Sequence, residues 1–167
     1  MSRYRRLRIP GGTYFFTVNL RDRTSDLLVT RIETLRGAIR ATRSRMPFHI
    51  DAWVVLPDHM HCLWTLPERD SAYPARWQAI KKAFSRVIPA EEPRTHTMLA
   101  RGERGIWQLR YWEHTIRDDA DYAAHMDYIH FNPVKHGLVS RPADWPHSTF
   151  HRCVTAGLYP ADWHSAP

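Results

Sequence analysis

Apolar positions along the chain change period several times, and each change marks an element. Residues 13–20, Thr-Tyr-Phe-Phe-Thr-Val-Asn-Leu, are dense in β-branched and aromatic side chains and predict a buried strand. From Ser25 to about Arg45 the apolar residues Leu28, Ile32, Leu35 and Ile39 recur every three or four positions, which predicts a helix with one basic face, ended by Pro47. Phe48 to Leu56 returns to a strand pattern. Pro57-Asp58 makes a tight connection, and His59 to Leu66 predicts the second strand of a hairpin. Trp77 to Ile88 reads as a helix with Ile80, Phe84 and Val87 inward and Lys81, Lys82 and Arg86 outward. Pro89 to Arg104 is polar and punctuated by proline and glycine, so a loop is expected. A further strand falls within 107–116. Asp118 to Asn132 predicts a helix opened by acidic residues and stopped near Pro133. The remainder, with Trp145, Trp163 and four prolines, predicts an irregular C-terminal tail.

The order β-α-β-β-α-β-α with a central hairpin predicts an α+β, ferredoxin-like antiparallel sheet with helices on one face. A doubly wound parallel sheet fits less well, because two strands are joined by only a two-residue link. The 167 residues suffice for one core. The expected division is a catalytic unit over 1–139, including a basic N-terminal arm, and a tail over 140–167 that packs on it.

Charge adds a partner. The net charge is +7, and eleven arginines against three acidic residues fall within the first 45 positions. A basic end on a nearly neutral body predicts a polyanion-binding surface. Arginine outnumbers lysine 21 to 3, and guanidinium suits phosphate and guanine contacts; a GC-rich genome would also raise arginine, without clustering it. Arg3, Arg5, Arg6 and Arg8 form the arm, and Lys81 and Lys82 are further candidates for DNA contact, although a solvated helix face explains either lysine as well. Tyr4, Tyr14 and Trp107 are candidate stacking partners for unpaired bases. Two cysteines, Cys62 and Cys153, in no metal or disulfide pattern point to a reducing cytosol. No apolar run is long enough to span a membrane, and the first residues lack the apolar stretch of a leader peptide.

Candidate chemistry begins with His59-Met60-His61. On a strand the two histidines share a face, about 7 Å apart along the chain at ~3.3 Å per residue. They can chelate one divalent cation, or be an ordinary half-buried pair on a sheet face. Nothing in the pattern supports structural or protease zinc. Asp121, His125, Tyr128 and Asn132, spaced four, three and four, form one stripe of a helix. Tyr128 can attack a phosphodiester, Asn132 can lend its carbonyl oxygen to the cation, and His125 can orient the phenol or accept its proton. A tyrosine packed at a helix–sheet contact, and an asparagine capping the helix before Pro133, are the plainer alternatives.

His59-Met60-His61 and the segment from Met126 through Tyr128, Asn132 and Pro133 to Gly137 carry a resemblance. So do residues 11–20, 52–61, 111–114 and 144–146. The chain resembles the IS200/IS605-like single-tyrosine transposases of the HUH endonuclease superfamily, and more closely the REP-associated branch; the likeness runs over nearly the whole length. It implies a ferredoxin-like core, a Mg²⁺ or Mn²⁺ cofactor, and nicking and rejoining of single-stranded DNA beside a palindromic hairpin through a 5′-phosphotyrosine. It implies His59 and His61 as metal ligands and Tyr128 as nucleophile. Asn132 stands where relatives often have glutamine. Stretch 89–104 looks like an insertion. The resemblance also implies a monomer, with a dimer as the other possibility, working in the bacterial cytoplasm at the nucleoid. Two other functions fit the motifs: a catalytically silent hairpin-binding regulator, and a replication or relaxase-type nickase.

Overall fold

In the computed structural model, which describes residues 6–164, the elements run β1 (Thr13–Asn19), α1 (Leu27–Thr30), α2 (Ile32–Arg45), β2 (His49–Val55), β3 (His59–Thr65), α3 (Tyr73–Val87), α4 (His96–Ala100), β4 (Trp112–Thr115), α5 (Asp119–Lys135), a 3₁₀ turn (Pro142–Asp144) and α6 (Phe150–Thr155). The sheet order is β2-β3-β1-β4 and every neighbouring pair is antiparallel. That is the ferredoxin-like arrangement expected from the element order.

Strand alternation divides the side chains into two apolar layers. Tyr14, Phe16, Val18, Met60, Cys62 and Trp64 pack with α2 and α3 on one face. Trp64 stacks on Trp77 of α3 with centroids 4.3 Å apart. The helices of the β-α-β-β-α-β unit therefore lie on this one face. α5 follows that unit and covers the opposite face, where Phe15, Ala52, Val54 and Leu63 meet Met126 and Ile129. This face carries the odd-numbered positions of β3, including both histidines.

Three boundaries differ from the sequence reading. The span from Ser25 is two helices, broken at Arg31. α3 starts at Tyr73, with Pro74 in its first turn, a position that wants no N–H partner. α5 does not stop at Pro133 but runs to Lys135. A proline one turn from a helix end leaves a single upstream carbonyl unserved, which the last turn tolerates.

Residues 140–164 are less irregular than expected. Thr149 N donates to Trp53 O and Val55 N to His147 O, so the segment pairs with the β2 edge. Tyr159 donates to Asp127 of α5 at 2.7 Å, and Trp163 packs on Tyr159 and Phe131. Among the described residues no helix is long and apolar enough to cross a membrane.

Candidate active site

β3 and α5 bring the two sequence motifs together. His59 and His61 are buried, 5% and 4% exposed. His59 Nδ1 donates to Asp58 Oδ1 at 2.8 Å, and Asp58 is held from its other oxygen by Arg23. His61 Nδ1 bonds Thr17 Oγ1 at 2.7 Å, its cross-strand neighbour on β1. At His59 the Asp58 carboxylate fixes the proton on Nδ1 and leaves the lone pair on Nε2; at His61 the Thr17 hydroxyl engages Nδ1 and leaves Nε2 as the free nitrogen. His61 Nε2 is buried and has no hydrogen-bond partner among the described residues. Burial lowers the affinity of both rings for protons, at His59 against the pull of Asp58. At His61 burial, with the nearby His59, His136 and Lys135, brings the value down to about 3. Both are therefore neutral near pH 7, the form that binds a cation.

Across from them, Tyr128 stands edge-on to His61 with ring centroids 5.2 Å apart. Its ring also meets Phe15, and Lys135 Nζ lies 4.8 Å above it. Tyr128 is 37% exposed, open enough to meet a strand of DNA, whereas His59, His61 and Phe15 are buried. One turn on, Asn132 is fully buried, and both polar atoms of its side chain are unpaired. Another turn on, His136 at the helix C-cap brings its ring to 5.0 Å from that of His59. Residues 128, 132 and 136 share one helical stripe. Along the helix, Asn132 stands one turn from Tyr128, which meets His61, and one turn from His136, which meets His59. Ligating nitrogens of His59, His61 and His136 lie within 4.8 Å of one another. Two bare buried imidazoles, an orphaned amide oxygen and a third imidazole fit a divalent cation that takes nitrogen and oxygen donors.

His136 was missed in the sequence. It continues the spacing of Tyr128 and Asn132 by four residues, but lies past the proline at which the helix was ended. The sequence candidate His125 is placed elsewhere. Its Nδ1 donates to Asp121 O at 2.7 Å and its ring stacks on His114 at 4.8 Å. Phe15 packs against both His125 and Tyr128, and no hydrogen bond links the two. Asp121 is closed by His114 and by Arg117, through both its backbone N–H and its guanidinium. The other nearby tyrosine, Tyr122, donates to Asp51 and lies off the site, so it is no second nucleophile beside Tyr128.

Of the basic candidates, Arg3 and Arg5 lie outside the described residues. Arg6 packs its guanidinium on Tyr111 at 4.0 Å, and Arg8 and Lys82 are exposed. Lys81 is half-buried, donates to Gln108 O at 3.2 Å, and is lowered by burial to about 8. Lys81 and Lys82 line a cavity of about 550 Å³ with Arg21, Arg86 and Trp107. Of the stacking candidates, Tyr4 lies outside the described residues. Tyr14 is corrected: its ring is fully buried and its hydroxyl bonds Ile9, so it offers no face to a base.

An antiparallel ferredoxin-like sheet whose paired histidines face a helix-borne tyrosine is the arrangement of a tyrosine transposase. The family model described as "Transposase IS200 like" matches residues 14–132. The chain is 56% identical to a REP-associated tyrosine transposase of Escherichia coli (strain K12), over 98% of this chain and 91% of that one. It is 48% identical to a putative REP-associated tyrosine transposase of Haemophilus influenzae, over 100% and 96%. A solved structure of a REP-associated tyrosine transposase bound to a REP hairpin superposes with a TM-score of 0.86 at 54% identity, covering 99% of this chain and 93% of that one. This chain belongs to the IS200-like transposase family, in its REP-associated tyrosine transposase group, and is an enzyme that nicks and rejoins DNA.

Proposed function

We propose that the chain cuts and rejoins single-stranded DNA beside a REP-type hairpin, with Tyr128 as nucleophile and His59, His61 and Asn132 holding Mg²⁺ or Mn²⁺. The observation that carries this reading is the edge-on contact of an accessible Tyr128 with the ring of His61, whose buried Nε2 has no hydrogen-bond partner among the described residues. Tyr128 Oη attacks the scissile phosphorus, the P–O3′ bond breaks, and the leaving oxygen ends as a free 3′-OH. The DNA 5′ end stays on the protein as a phosphotyrosine ester, so attack by another 3′-OH reverses the step and rejoins a strand without added energy. A divalent cation bound by these residues supplies polarisation of the phosphate and stabilisation of the leaving oxygen. Asp58 keeps the His59 imidazole in the ligand tautomer, and Thr17 holds the His61 ring in place. Lys135, above the Tyr128 ring, is placed to hold a phosphate oxygen. His125, bonded to Asp121 and stacked on His114, makes no hydrogen bond to Tyr128.

Arg3, Arg5, Arg6 and Arg8 of the arm, with Lys81 and Lys82, supply phosphate contacts. The catalytic unit spans 1–139, and the described residues of the tail over 140–167 clasp the β2 edge and α5. The protein works as a monomer in the bacterial cytoplasm, at the nucleoid.

The test is incubation with a labelled hairpin oligonucleotide carrying a single-stranded flank. A 3′-OH product that needs added Mn²⁺ and is lost with EDTA is expected. Hairpin binding with no cleavage under any divalent ion would overturn the reading in favour of a silent regulator.

A further inference from the structure

We propose that His136 is a third imidazole ligand of this cation site and that it tilts the site toward Mn²⁺ over Mg²⁺. The inference rests on the reading of His59 and His61 as ligands. Its geometry is separate from theirs, because His136 comes from the far end of α5. Its backbone is fixed there by the closing turn of the helix. His136 N donates to Asn132 O at 3.0 Å, Gly137 N to Val134 O at 2.9 Å and Leu138 N to Pro133 O at 2.9 Å. Gly137 takes the left-handed conformation, φ +69°, that such a turn requires. Only the two side-chain torsions of His136 remain free to adjust.

One nitrogen from each of the three rings lies within 4.8 Å of the others. Ligands at about 2.1 Å from one ion stand at most about 4.2 Å apart, so ring rotation has to draw the set in. The imidazole of His136 is exposed and makes no hydrogen bond among the described residues. In the other histidine cluster, by contrast, Asp121 is closed by His114 and Arg117, and His125 by the Asp121 carbonyl. One group closes on its own hydrogen bonds; in the other, the partners of His59 and His61 lie outside the cluster, with a nitrogen of each ring within 4.8 Å of the rest.

The chemistry of three imidazoles decides the ion. Mg²⁺ keeps its waters and demands near-ideal oxygen geometry; Mn²⁺, first in the first-row series, also takes oxygen donors but admits an imidazole more readily than Mg²⁺ does. Adding a third nitrogen donor therefore strengthens Mn²⁺ binding and does little for Mg²⁺.

The test uses the intact protein without DNA. Free Mn²⁺ is followed by its electron paramagnetic resonance signal, Mg²⁺ by competition, and nitrogen couplings on bound Mn²⁺ count the imidazoles. Wild type is expected to show three imidazole couplings. His136→Gln is expected to show two, with Mn²⁺ affinity lowered roughly tenfold and Mg²⁺ affinity nearly unchanged. Unchanged Mn²⁺ affinity and coupling in His136→Gln overturns the proposal, as does an equal loss for both ions. His59→Ala separates the two levels. If it abolishes Mn²⁺ binding while His136→Gln does nothing, only the third ligand is wrong; if it too has no effect, the underlying site is wrong.

Discussion

Two hydrogen bonds decide what His59 and His61 can do. Asp58 and Thr17 each engage an Nδ1, so Nε2 is the nitrogen left free on each ring. Thr17→Val removes the partner of His61 and frees its ring to change tautomer or swing. The expected result is a loss of Mn²⁺ affinity of roughly tenfold in calorimetry, with the fold retained; unchanged affinity would show that Thr17 does not orient the ring. Strand parity alone put the two histidines on one face. Asp58 is their sequence neighbour and its bond was within reach of the sequence. Thr17 was not, because its pairing with His61 depends on the β1–β3 register across 44 residues. Asn132 was named from its helical spacing as a candidate ligand, with a cap before Pro133 as the alternative; the helix runs on past it and buries its amide unpaired, which the sequence could not show.

At the scale of elements, α5 carries the site. It is pinned to the sheet by Met126 and Ile129, started by Asp118, whose side chain accepts from Asp121 N, and closed by Gly137. No atom lies within 4 Å of a Cβ added at Gly137. Gly137→Ala therefore costs backbone strain alone, about 1 kcal/mol, read as a lower urea midpoint. A cost several times larger would mean that the turn is packed more tightly than its open surroundings show. The strands and the central hairpin were legible because β-branched and aromatic runs alternate with clear breaks. α5 was legible to within a turn, and the miss at its end concealed His136. The short helices α4 and α6 carried no period long enough to read, and the pairing of residues 147–149 with the β2 edge is a long-range contact that no local pattern encodes.

At the scale of the whole molecule, charge and burial set the solution behaviour. If the basic residues grip phosphates, affinity for a hairpin oligonucleotide falls as salt rises. Lys82→Gln is then expected to flatten the log–log salt slope by about one; an unchanged slope would mark Lys82 as a solvated face. Stability responds to acid through His61 and His130. Burial lowers them to about 3 and about 4 from an ordinary 6.5. Below about pH 6.5 the unfolded chain takes up protons that the folded chain refuses. Their contribution is thus complete above that pH and is lost as pH falls, on the order of 1.4 kcal/mol per unit for each. The urea midpoint should drop between about pH 7.5 and about pH 5, and a flat profile would contradict two buried neutral histidines.

The central claim is that Tyr128 becomes covalently joined to DNA. The most direct measurement traps the adduct formed with a hairpin oligonucleotide and Mn²⁺, digests it, and locates the nucleotide by mass spectrometry. The account predicts the modification on Tyr128, and no adduct from Tyr128→Phe although that variant still binds the hairpin. An adduct on another residue, or one that persists in Tyr128→Phe, would contradict it.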